Sequence, residues 1–152
     1  MFEVVLLPEN RYPGPAANLG FSVAPLEASY FHRSDSDMEY LPGWCDEVAA
    51  RFAADPLLGQ LGLRTDEEEL HAEFNVGGTA VFRRELWDDG IRYDERPWNE
   101  TLGLTEDYYM SLEVLKRGWR WGRVTRPCVV HIATGDLEDP YYQRSYGVRG
   151  II

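Results

Sequence analysis

Asp35-Ser36-Asp37 sets two carboxylates one residue apart, directly after an apolar run, Ala28 to His32, that reads as a strand. Carboxylates so spaced at a strand end can lean toward one hard cation. Magnesium or manganese is commonly held by one or two carboxylates together with substrate phosphates. In sheets covered by helices, ligands gather at the carboxyl ends of strands, where this pair falls. The same residues also suit a solvated loop with side chain-to-backbone turns, and the local sequence leaves both readings open. A second acidic pair, Glu106-Asp107, opens a helical pattern, where the dipole favours ionised carboxylates; its plain reading is first-turn stabilisation. His131 closes a strand pattern, and its plain reading is a hydrogen-bonded core histidine.

To present such groups the chain needs elements that end where they begin. Phe2 to Leu7 is a short apolar run closed by Pro8 and reads as a buried strand. Asn10, Pro13, Gly14 and Pro15 make the next segment turn-rich, and Ala16 to Ala24 predicts a short helix stopped near Pro25. Pro42 to Ala54 is a clearer helix: Pro42 suits a first turn, and Trp44, Val48, Ala49 and Phe52 recur at helical spacing until Asp55-Pro56. Leu57 to Leu63 reads as a strand and Arg64 to Leu70 as an acidic surface turn. Phe74 to Thr79 joins a strand end to a tight glycine turn, and Ala80 to Trp87 runs from a strand end into a helix start. Thr105 to Arg117 predicts a second clear helix, capped by Thr105 and closed by Lys116, Arg117 and Gly118. Trp119 to Val124 and Pro127 to Ile132 read as a closing pair of strands. Strands alternating with helices predict a mostly parallel α/β sheet.

Composition narrows the function classes. The 152 residues suit one domain spanning 1–152, with the polar-aromatic tail of about 135–152 expected to pack on the core or a partner. A formal charge of −11 argues against a nucleic-acid polymer as partner, since that binding relies on Lys and Arg neutralising phosphates. A small phosphorylated ligand remains compatible, because acidic side chains hold one through a metal ion. Cys45 and Cys128, far apart, form no zinc signature and no disulfide framework. The N-terminus has no basic leader, and no run approaches the roughly 20 apolar residues of a membrane helix. The expectation is a soluble, reduced, cytoplasmic protein with no transmembrane segment.

The order of the blocks is more specific than any one of them. Ser34-Asp35-Ser36-Asp37-Met38-Glu39-Tyr40-Leu41-Pro42-Gly43-Trp44, then Asn75-Val76-Gly77-Gly78-Thr79-Ala80-Val81-Phe82-Arg83-Arg84, then Thr105-Glu106-Asp107-Tyr108-Tyr109, Lys116-Arg117-Gly118-Trp119 and Pro127-Cys128-Val129-Val130-His131 resemble, in sequence order, the large inverting family 2 of glycosyltransferases. The resemblance implies a GT-A, Rossmann-like nucleotide-diphospho-sugar transferase fold. It implies Mn2+ or Mg2+ held by Asp35 and Asp37, with His131 a further candidate ligand. Asp107, or in second place Glu106, would be the base that takes the proton from an acceptor hydroxyl. Gly77 and Gly78 would line the sugar cleft, where a missing side chain lets substrate approach the backbone. Asn10, Asn18, Ser36, Arg83 and Trp98 complete the implied donor and acceptor contacts. The implied reaction is metal-dependent transfer of a sugar, with inversion, from a UDP- or GDP-type donor to a hydroxyl acceptor.

Two departures shape the expectations. Ala17 stands where an arginine is common near the diphosphate. Met1 stands at what resembles the third strand of the family, whose first strand-helix-strand-helix unit grips the base and ribose. A truncated sheet with an uncovered edge predicts a homodimer or a complementing chain. The alternatives are one half of a split glycosyltransferase, or a catalytically inactive binding or assembly subunit.

Overall fold

The computed structural model describes residues 5–9, 12–35, 38–64, 79–96 and 105–131, with the backbone alone at His131. Within them the order is α1 (Pro13–Ser22), β1 (Tyr30–Arg33), β2 (Met38–Tyr40), α2 (Trp44–Ala54), β3 (Leu58–Gly62), β4 (Ala80–Arg83), α3 (Arg84–Asp88), α4 (Glu106–Lys116), β5 (Arg120–Arg123) and β6 (Val129–His131). No helix among the described residues is long and apolar enough to cross a membrane.

Local sequence explains most of the boundaries. α1 starts earlier than expected, because Pro13 and Pro15 need no N–H in a first turn. Its Gly14, Asn18 and Phe21 fall on one buried face. α2 follows Gly43, whose φ of 80° is the left-handed conformation glycine adopts without strain. It ends at Asp55, held extended by the following proline. α4 is capped as predicted: Thr105 accepts a hydrogen bond from the Tyr108 N–H. Asp107, Met110, Ser111 and Val114 form its buried stripe.

The sheet corrects the expectation of mostly parallel pairing. Its order is β1-β4-β3-β5, with β1·β4 and β4·β3 antiparallel and β3·β5 parallel. Strands β1, β3 and β5 do run the same way, each reached through a helical crossover, and β4 is inserted between them reversed. A reversed neighbour needs only a return link, whereas a parallel one needs a crossover. The glycine-rich, acidic stretch ahead of β4 was the cue. The predicted closing pair is not a pair: β5 extends the main sheet, while β6 pairs antiparallel with β2 in a separate two-stranded sheet. β2, only three residues long after a charged loop, was not anticipated. The expected first strand lies partly outside the described residues; its described portion, Val5–Leu7, is not a strand, and Leu6 is exposed.

Both faces of the sheet are covered. Phe21, Phe31, Phe82, Leu86, Met110 and Val114 pack on one side with α1 and α4. Val48, Phe52, Leu61, Val81 and Val129 pack on the other with α2 and β6. Gln60 lies opposite Phe82, so it points into the first of these layers. It is fully buried, and among the described residues neither its amide nitrogen nor its oxygen has a hydrogen-bond partner. Desolvating such a group without compensation costs about 1–3 kcal/mol. Gln60→Met, similar in volume and without the amide, is therefore expected to raise the thermal midpoint by about 2–4 °C per kcal/mol recovered. A lowered midpoint in a melting experiment would show that Gln60 is satisfied in solution.

Candidate functional site

The strand registers place one row of residues across the carboxyl ends of β1, β3 and β5: Arg33 opposite Ala80, Ala80 opposite Gly62, Gly62 opposite Arg123. Arg33 alternates with Tyr30 and His32 and shares its face with Phe31, the buried face. A cation there needs counter-charge, and the first turn of α4 supplies it. Nη1 of Arg33 donates to Oδ1 of Asp107, and Nη2 donates to Oε1 of Glu106 at 2.8 Å. The same Nη2 lies 4.0 Å from Oδ1 of Asp35. The guanidinium sits over the Tyr93 ring, 5.2 Å from its centroid.

Burial dominates the electrostatics. Asp107 is 7% exposed, and its carboxyl is pushed up to about 6, first by desolvation; Arg33 opposes the rise, while Glu106 and Asp35 add to it. Burial likewise pushes the Tyr93 hydroxyl up. Arg33 is held above its usual range: burial works against its charge and is outweighed by the neighbours, Asp107 and Glu106 among them. Asp35, by contrast, keeps 43% of its side chain exposed. The loop that carries it is anchored at Ser34, whose Oγ accepts a hydrogen bond from the Tyr40 hydroxyl of β2.

Beside this cluster a cleft of about 650 Å³ runs between α1 and β1, walled by Ala16, Ala17, Gly20 and Phe31 and ending on Arg33 and Asp35. Ala17 of α1, at the position expected to be an arginine, lines the same cleft as Arg33 of β1.

Among solved structures, the chain superposes on mannosyltransferase PcManGT from Pyrobaculum calidifontis, solved in complex with GDP-Man and Mn2+, with a TM-score of 0.62 at 17% identity. The chain shares its fold with a glycosyltransferase. The match covers 85% of this chain and 39% of that one, so the chain spans about two fifths of the mannosyltransferase. No protein-family model and no curated protein matches it.

The expected site residues divide into three groups. Asp35, Glu106 and Asp107 come together around Arg33. Asn10, Ser36, Asp37, Gly77, Gly78 and Trp98 lie outside the described residues, as does the side chain of His131. The His131 backbone pairs with Met38, one residue beyond Asp37, and β4 begins at Ala80, two residues after Gly78. No three His, Cys, Asp or Glu side chains form a metal-binding group among the described residues.

The remaining two lie away from this cluster or are engaged within the fold. Arg83 stands at the opposite end of the sheet, three register positions from the Arg33 row, about 10 Å along the strand. It donates to the carbonyls of Leu58, Phe52 and Asp55, tying the end of α2 to β3. Asn18 is buried and committed internally: its amide nitrogen donates to the Tyr93 carbonyl at 3.0 Å and to Glu95 at 2.9 Å, and its oxygen accepts from the Tyr93 N–H at 2.9 Å. It holds the segment that carries the ring under Arg33.

Arg33, Tyr93 and this bracing role of Asn18 were missed from sequence. The signal for Arg33 was available, since period-two alternation puts it on the face of Phe31 and a buried cation calls for acids nearby. Gly14 completes the brace. A Cβ there would meet the Asp94 carbonyl oxygen at 2.5 Å, with Glu106 Cβ at 3.5 Å. Gly14→Ala should therefore destabilise the fold by about 1–3 kcal/mol, as overpacking does, by prising α1 from the Tyr93–Asp94 segment. A thermal midpoint equal to that of the parent protein would refute this close contact.

Proposed function

We propose that the chain is a glycosyltransferase domain that moves a sugar from a nucleoside-diphosphate donor to an acceptor hydroxyl, with inversion and with a divalent cation. The observation that carries the reading is the buried Asp107 carboxylate at the head of α4, facing the strand end that bears Asp35, on a fold shared with a nucleotide-sugar mannosyltransferase.

Each residue has a physical task. Asp107 has the character of a general base for neutral pH: it is fixed in direction by its ion pair and titrates near 6. It takes the proton of the acceptor hydroxyl while the acceptor oxygen bonds to the anomeric carbon. The bond from that carbon to the diphosphate oxygen breaks, and its electron pair leaves with the diphosphate. The cleft between α1 and β1 combines an apolar α1 side with Arg33, Ser34 and Asp35 on the β1 side, which suits a nucleoside against α1 with its phosphates toward Asp35. Charge argues for a cation as well. Asp35, Glu106 and Asp107 present three formal negative charges to one guanidinium, so a bare diphosphate would meet repulsion. Asp35, exposed and without a short ion pair among the described residues, offers the hard oxygen donor that Mg2+ or Mn2+ prefers, with Asp37 and His131 as its companions. When bound, the cation supplies charge stabilisation for the leaving diphosphate.

Two measurements test the reading. Titration calorimetry with GDP and with UDP should show binding that requires manganese, lost on Asp35→Ala or Asp37→Ala; manganese-independent binding unchanged in both variants would remove the metal role. In a transfer assay, kcat/KM should rise with pH and level off above about 6, as the Asp107 carboxyl loses its proton. Asp107→Asn should lower kcat by at least about 10²-fold, the lower end for a general base, and an active Asn variant would exclude Asp107 as the base.

A further inference from the structure

The Arg33 ion pair has a directional feature that a structural salt bridge does not need. Its two terminal nitrogens go to two successive residues of one helix turn, Nη1 to Asp107 and Nη2 to Glu106. The rigid planar fork of a guanidinium can do this; a lysine ammonium cannot reproduce it. The contact with Asp107 uses Oδ1, and among the described residues no hydrogen bond goes to Oδ2. The fork is itself held from behind. Tyr93 lies under it, 2% exposed, and Asn18 grips both the N–H and the carbonyl of Tyr93. Arg33 is only 11% exposed in its side chain, so it has little freedom to leave.

We propose that Arg33 is a positioning residue for Asp107: it occupies Oδ1, fixes the rotation of the carboxylate, and leaves Oδ2 to receive the acceptor proton. The assignment rests on Asp107 being the base of the proposed sugar transfer. Its second effect is on charge. The groups facing Asp107 are Arg33 and Asp35 from the end of β1, Glu106 beside it on α4, and Tyr93 from the segment after α3. Among the described residues Arg33 is the only cation of this set. Without it, burial and two acidic neighbours would act unopposed and raise the Asp107 carboxyl further.

The test reads Asp107 directly and needs no sugar donor. The side-chain carboxyl carbon of Asp107 is followed by NMR across pH in the full chain, in the parent and in Arg33→Met, with thermal melts confirming that both are folded. The expected result is a midpoint near 6 in the parent, higher by one pH unit or more in Arg33→Met. A folded Arg33→Met with an unchanged midpoint overturns the proposal. Should the Met variant not fold, Arg33→Lys decides: it keeps the charge and loses the fork, so kcat should drop about tenfold or more, a larger factor than any change in donor KM. A lysine variant with parental kcat overturns the positioning role. If the parent transfers no sugar, the sugar-transfer reading falls, while the carbon titration still decides whether Arg33 governs Asp107.

Discussion

A guanidinium shut between two carboxylates at the head of a helix is the constraint from which the rest of this fold can be derived. Arg33 cannot be left unpaired in a buried layer, because a lone ion there costs several kcal/mol. α4 must therefore begin where β1 ends. That requirement fixes the height of α4 on the sheet, and Met110 and Val114 then fall onto Phe31 and Phe82. α1 must come close enough for Asn18 to hold Tyr93, and only a glycine at position 14 permits the approach. The apolar core and the ionic cluster are thus one arrangement, with the core supplying most of the free energy and the ion pair its registration.

The same arrangement contains a conflict. A carboxylate that is buried, flanked by Glu106 and near Asp35 is costly to ionise, and a carboxylate that is not ionised is useless as a base. Arg33 pulls the balance back without winning it, so Asp107 titrates near 6 instead of in the ordinary carboxylate range. A purely structural pair would be better served by deeper matching of charges, one guanidinium to one acid. Here acids outnumber the cation, and the surplus faces the cleft through exposed Asp35. Excess like charge at the mouth of a cleft is destabilising in the empty protein and becomes favourable only when a cation enters.

What sequence revealed follows from how local each signal is. The cap at Thr105, the acidic first turn and the stripe of α4 are all written within eleven residues, and the structure reproduces them. Likewise Pro42-Gly43 and Asp55-Pro56 bracket α2. Strand direction is not local: nothing inside Ala80–Arg83 says that β4 runs backward between β1 and β3, and only the character of its preceding link hinted at it. β2 exists because β6 pairs with it, which no three-residue pattern can announce. The acidic residues of the site were legible because they sit at element ends. Arg33 was not, because its meaning depends on which helix covers its face of β1.

Arg33 and Arg83 show how partners, and not residue type alone, set a side chain's chemistry. Both are arginines at the ends of adjacent strands, and both are partly buried with an aromatic ring beneath the guanidinium. Arg83 donates to three backbone carbonyls, neutral acceptors that belong to the fold and tie down the end of α2. Arg33 is matched to carboxylates, groups that gain or lose a proton and respond to any new charge nearby. The two ends of the sheet thereby acquire different chemistry from the same side chain. The end with peptide partners is a joint. The end with titratable partners lies beside the cleft that Asp35 lines, where protonation responds to any new charge.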